Sequence, residues 1–224
     1  MRIALYDWPV SPYCMKVRAV LETKGLEYEK RPAMKHFTEV YRRGGVGKVP
    51  AIDIDGDFLV DSTDICHELE RRFPEPSILP SDRRDRALCH ALEDWTDEAL
   101  YFFGLYYNWY EPTGRALARK YFARTLVGRL AFPPYLSRVK SQLRGHGISR
   151  KSPSHVRADL ERTLGAIEDL VGDQFLLGDR PYLCDFALCS QLKYLALGAT
   201  TKTVIDDRPA LRAYVDRLPQ VRTK

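Results

Sequence analysis

The sequence predicts an α/β domain followed by an all-helical one. Alternating strand and helix signals fill the first third of the 224-residue chain, and strand signals nearly vanish after it. A proline-rich stretch, "PEPSILPSD" (74–82), separates the two patterns and reads as a linker. The expected domains are 1–76 and 77–224.

"RIALYDW" (2–8) reads as a short strand. "PYCMKVRAVLETKG" (12–25) reads as a helix, with Pro12 in its first turn and Gly25 closing it. "LEYEKR" (26–31) is a second strand, so the first three elements form a parallel unit with a right-handed crossover. A less regular helix is expected over 35–43. "VPAIDIDGDFLVD" (49–61) holds two alternating runs around Asp55-Gly56, a hairpin signal. "STDICHELERRF" then reads as a helix opening at Ser62. The order β-α-β-α-β-β-α is the thioredoxin-like one. Helical periodicity dominates 83–143 and 154–218, with "LRGHGISRKSPSH" (143–155) as a loop between them.

The bulk numbers narrow the class. Hydrophobic content of 45% and charged content of 29% are ordinary for a globular protein with a real core. The net charge of +5 reads as mild, with acidic residues interleaved almost everywhere, so neither a nucleic-acid nor a membrane partner is expected. No apolar run is long enough to span a bilayer, and "MRIALYDWPV" is too short and too soon charged for a signal peptide. Five irregularly spaced cysteines argue against a disulfide framework and for a reducing compartment, with cytoplasm the expected location. The five histidines show no metal-ligand spacing with each other or with cysteine.

"VSPYC" (10–14) joins the first strand to the first helix and admits three readings. Ser11 could hydrogen-bond a bound thiolate, helped by the free N–H groups and dipole of the helix start, which lower a thiol from its usual pKa of about 8.5. Cys14 could itself be the reactive thiol, although a C-x-x-C pair is excluded because position 11 is serine. Or Ser11 is only a cap and Cys14 a buried helix residue. Two further features favour the first reading when taken together. Pro50 precedes a strand where this fold order expects a cis peptide facing the first helix, which would leave the backbone of Val49 open to a ligand. Asp61 and Ser62 put a carboxylate and a helix N-terminus side by side, suited to the two charges of an α-amino acid head. Singly, each is commonly a cap or a strand-entry proline.

Together these residues resemble the glutathione transferase superfamily, and "SPYCMKVRAVL", "KVPAI" and "DS" look like its serine-type classes such as tau. The resemblance implies glutathione as co-substrate, with Ser11 activating its sulfur. Val49 and Pro50 would hold the cysteinyl backbone, Asp61 and Ser62 the γ-glutamyl end, and Lys35 the glycyl carboxylate. It implies conjugation to a small hydrophobic electrophile, and a homodimer. Aspartate stands where the family has glutamate, which shortens the reach. "GDRPYLCDFALCSQL" is similar to the start of the family's buried helix, but Tyr182 replaces the usual Ser or Thr cap partner of Asp185. "GHGISRKS" with "LGDRP" is similar to bacterial relatives of the metaxin and failed-axon-connections group.

Trp95, Phe102, Tyr106, Trp109 and Tyr110 fall at spacings that share a helical face. Such a stripe is more often core or dimer contact; the resemblance implies that Tyr106 and Trp109 line the electrophile cleft. Tyr6, on the first strand, is a reserve activator. Two alternatives stand beside conjugation: a non-catalytic binding module of this fold, and glutathione-dependent reduction through Cys14.

Overall fold

The structure is a computed structural model and describes residues 1–45 and 47–218. Four strands, β1 (Ile3–Asp7), β2 (Glu29–Pro32), β3 (Ala51–Ile54) and β4 (Asp57–Val60), form one sheet in the order β2-β1-β3-β4. β1 runs parallel to β2 and antiparallel to β3, and β3 is antiparallel to β4. All five residues of β1 are buried, as expected for a strand with neighbours on both sides and apolar cover on both faces. Asp55 (φ 53°) and Gly56 (φ 102°) both take positive φ, the requirement of a two-residue hairpin turn.

Helix α1 (Pro12–Thr23) starts at the Ser11 cap. It ends in a Schellman motif: the Leu26 N–H reaches the Leu21 carbonyl at 2.9 Å and the Gly25 N–H reaches Glu22 at 3.0 Å. That motif consumes 24–26, so β2 begins at Glu29, three residues later than its alternation suggests. α2 (Phe37–Arg42) is short, and α3 (Ser62–Arg72) follows β4 directly.

The chain divides into two compact units. Among the described residues, one contains 1–45, 47–94, 174–190 and 216–218; the other contains 95–173 and 191–215. In the first unit, Asp185 near the start of α9 (183–195) accepts the N–H groups of Leu176 and Tyr182, each at 2.9 Å. Asp185 thus supplies the carboxylate half of a capping box, and Tyr182 stands at the cap without a side-chain oxygen to return the bond.

The region 83–143 is not one regular pattern. α4 (Arg83–Trp95) runs into a π turn at Thr96–Leu100, then α5 (Tyr101–Leu105), and a second π turn at Tyr106–Tyr110. α6 (Pro112–Phe122) and α7 (Leu126–His146) follow. The loop expected at 143–155 shrinks: α7 continues to His146, Gly147 ends it at φ 100°, a 3-10 turn covers Ile148–Arg150, and Ser152 caps α8 (Pro153–Val171). Gly145 stays helical, so only one of the two glycines breaks the helix. α10 (Ala199–Asp206) and α11 (Pro209–Arg217) complete the second pattern. Among the described residues no helix is long and apolar enough to cross a membrane.

Candidate functional site

Strand directions bring the sequence-predicted residues of the first unit to one end of the sheet. Tyr6 is opposite Ala51, Ala51 is opposite Val60, and Asp7 is opposite Pro32. The loop to Ser11 leaves β1 at that end, the turn carrying Lys35 leaves β2 there, Val49-Pro50 enters β3 there, and Asp61 follows β4 there. The Val49-Pro50 bond is cis, as its position suggested.

Ser11 is buried, and its hydroxyl oxygen accepts the Cys14 N–H at 3.4 Å. Asp61, rather than Ser62, is the cap of α3: its Oδ1 accepts the Thr63 N–H at 2.9 Å. Asp61 holds φ at 76°, a left-handed conformation that costs a non-glycine residue about 1–3 kcal/mol. Its carboxylate is exposed and has no ion-pair partner among the described residues, while Ser62 beside it is buried. An unpaired carboxylate next to free N–H groups at a helix start fits an ammonium and a carboxylate carried on one carbon. Lys35 is exposed, and its backbone is fixed by the Pro32 carbonyl at 2.9 Å.

Beneath these residues lies a polar cluster that the sequence reading missed. Lys16 on α1 is fully buried; its Nζ donates to Glu93 on α4 at 2.6 Å and to the Thr63 hydroxyl at 3.1 Å. Thr63 donates in turn to the same Glu93 oxygen at 2.6 Å. The cluster ties the second turn of α1 to the first turn of α3, and so links the helices that start after Ser11 and Asp61. A signal was present: Lys16 is one turn before Val20 on the face that buries Val17, Val20 and Leu21, and a lysine there needs a buried partner. Asp7 at the end of β1 likewise pairs with Arg18 of α1, which also donates to the Pro9 carbonyl at 3.1 Å and so fixes the loop ahead of Ser11.

Cys14 has no exposure. Burial pushes its thiol up to about 12, with the Asp7 carboxylate adding to the effect and the Trp8 N–H and Ser11 hydroxyl opposing it. The reductase alternative therefore lacks an accessible thiolate, because desolvation outweighs the helix start. Tyr6 is also fully buried; its hydroxyl donates to Glu39 and accepts from Arg31 at 2.9 Å. Burial raises its pKa, and Glu39 raises it further.

In the second unit the aromatic stripe splits. Tyr106 and Trp109 are buried, but Trp95 is 37% exposed. Each π turn takes more residues than an α turn, so residues before and after it leave a shared face. Trp109 donates its indole N–H to the Tyr194 hydroxyl at 3.0 Å and packs on Phe122 and Tyr135 with ring centroids at 5.7 and 4.7 Å. It is a core residue of that unit. Tyr106 packs on Tyr107 and Tyr110 at 5.2 and 5.3 Å.

Comparison with known families decides the lineage. The model of the glutathione S-transferase N-terminal domain matches residues 5–77, and that of the C-terminal domain matches 108–217. The chain belongs to the glutathione transferase family. Within it, maleylacetoacetate isomerase of Pseudomonas aeruginosa is 30% identical over 203 residues, covering 84% of this chain and 79% of that one. Protein LigF of Sphingobium sp. is 26% identical over 238 residues, covering 97% and 90%. The crystal structure of β-etherase LigF superposes with a TM-score of 0.70 at 24% identity over 97% of this chain and 94% of that one, a likeness of fold. Failed axon connections of Drosophila melanogaster is 26% identical, covering 84% of this chain and 47% of that protein, in keeping with the second resemblance seen in the sequence.

Proposed function

We propose that this enzyme of the glutathione transferase family binds glutathione at the open end of its sheet and uses the thiolate to attack an activated carbon of a small organic substrate. The supporting observation is the placement of Ser11 at the buried start of α1, at the same end of the sheet as the cis Val49-Pro50 entry and as Asp61, whose carboxylate has no ion-pair partner among the described residues. Asp61 and the N–H groups at Ser62 take the γ-glutamyl end, the Val49 backbone pairs with the cysteinyl residue, and Lys35 meets the glycyl carboxylate. The Ser11 hydroxyl donates to the sulfur and, with the helix start, holds it as thiolate.

The sequence alone suggested conjugation to a hydrophobic electrophile. The names of two similar proteins, an isomerase of a maleyl compound and a β-etherase, point to narrower uses of the same attack. Addition of a thiolate to a cis double bond conjugated with a carbonyl creates a single bond that can rotate, and elimination then returns the trans product and free glutathione. We favour this isomerising use, because the isomerase is the more identical of the two. The test is to incubate the protein with glutathione and a cis-enone acid such as maleylacetone, following both the trans product and free thiol. Isomerisation with the thiol pool unchanged supports the reading. Stoichiometric thiol loss returns the reaction to conjugation. Calorimetry showing no heat with millimolar glutathione removes the catalytic account and leaves the binding-module alternative.

A further inference from the structure

The chain's charge is unevenly distributed, which its mild overall balance conceals. From Pro112 to Ala158 there are eight arginines and three lysines and not one aspartate or glutamate. This excess exceeds the whole chain's net charge of +5, so the remainder is net acidic. The stretch comprises α6, α7 and the first residues of α8, within the second unit.

At the tip where α6 turns into α7, Leu126, Val127 and Leu130 are 66%, 68% and 70% exposed. Leu117 and Tyr121, one turn apart on α6, are also exposed. These side chains are surplus to the packing of the hairpin. Its inner side is already filled by Phe122, Phe132 and Tyr135, with Phe122 ring centroids 5.7 Å from Phe132 and 6.0 Å from Tyr135. The turn itself is fixed: Thr125 caps α7 through the Gly128 N–H at 3.0 Å, and a Cβ on Gly128 would lie 2.2 Å from the Phe122 carbonyl oxygen. The aliphatic tip therefore cannot fold inward without breaking a close backbone contact. Around it Arg119, Lys120, Arg124 and Arg129 are exposed and have no carboxylate partner among the described residues, and Arg124 stands over the Tyr121 ring at 5.3 Å.

We propose that the α6–α7 tip docks on an anionic lipid surface. Exposed aliphatics ringed by unpaired cations match an interfacial amphipathic element: the leucines and valine enter the boundary of the acyl chains and the arginines and lysine meet headgroup phosphates. A nucleic acid would reward the cations but gains nothing from Leu126, Val127 and Leu130, which offer no stacking face. A second copy of the same tip would bring like charges together. The docking surface is built within the second unit and shares no residue with those given a role in the thiol chemistry, so its fate and that of the proposed reaction are read separately.

The test is flotation of the full chain with phosphatidylcholine vesicles, with and without phosphatidylglycerol at about a third of the lipid. Wild type should float only with the anionic vesicles and be released by high salt. Leu126→Ser/Leu130→Ser and Arg119→Glu/Lys120→Glu should each lower partitioning at least about tenfold, with melting curves and glutathione binding unchanged. Absence of flotation at low salt overturns the proposal. So does flotation that the serine pair leaves intact, especially if the protein then retards an RNA or DNA duplex. A wild-type dimer that the serine pair dissociates, with no flotation, assigns the tip to self-association instead.

Discussion

The ammonium of Lys16 and the carboxylate of Glu93 meet at 2.6 Å with almost no exposure on either side, 0% and 4%. The pair fastens α4 beneath the two helix starts that carry Ser11 and Asp61. Removing one member strands the other as an uncompensated buried charge. Lys16→Met or Glu93→Leu alone should cost about 3–5 kcal/mol, while the double variant should recover much of that loss. Urea midpoints at constant m check this. A double variant as unstable as the singles together would show that the two charges act independently.

Ser11→Ala should lower turnover far more than glutathione affinity. Losing a hydrogen bond to the thiolate raises the bound thiol's pKa, by about one to two units if the serine supplies the shift. The alkaline rise of kcat should therefore move to higher pH by the same amount. An unmoved pH profile would assign sulfur activation to another group.

Asp61 combines a positive φ with a cap and a charge, and substitutions separate these. Asp61→Asn keeps the cap and tolerates the left-handed backbone, so stability should change by less than about 0.5 kcal/mol. Glutathione binding should still weaken by about tenfold, because the partner of its ammonium becomes neutral. Equal binding by calorimetry would remove Asp61 from the site.

Cys14 should be inert. With its thiol pushed up to about 12 by burial, it stays protonated through the working range and should resist iodoacetamide in the folded protein. Cys14→Ala should retain turnover. The sign of the linkage follows from the raised value: burial of the neutral thiol contributes stability in full below the unfolded thiol's pKa of about 8.5, and this is lost as pH climbs towards 12. The wild type should thus lose stability relative to Cys14→Ala between those limits.

Trp109→Phe should destabilise by about 1–3 kcal/mol, since it strips the Tyr194 hydroxyl of its indole donor in a buried place. KM for the organic substrate should not move. A selective change in KM with an unchanged melting temperature would return Trp109 to the substrate cleft.

The elements that could be read from sequence were those set by local chemistry. Ser11-Pro12 marks a helix start, Gly25 a helix end, Asp55-Gly56 a hairpin, and each is fixed by what its own backbone can do. Lys16 was not read because a charge is assigned to a surface unless its partner is known, and Glu93 lies 77 residues away. The end of α7 was missed because the glycines of 143–155 suggested a loop, yet Gly145 sits within the helix. The π turns leave no propensity signal, and they undid the aromatic face. The acid-free run of 112–158 was visible all along, but summing charge over the whole chain erased it.

The two π turns, Thr96–Leu100 and Tyr106–Tyr110, have one more consequence. Each accommodates a surplus residue inside a continuous helix, so related chains can gain or lose a single amino acid there without altering any loop. Alignments that confine gaps to loops will slip by one position across this segment. Wherever a relative lacks one of these turns, such an alignment will pair Trp109 with the wrong neighbour.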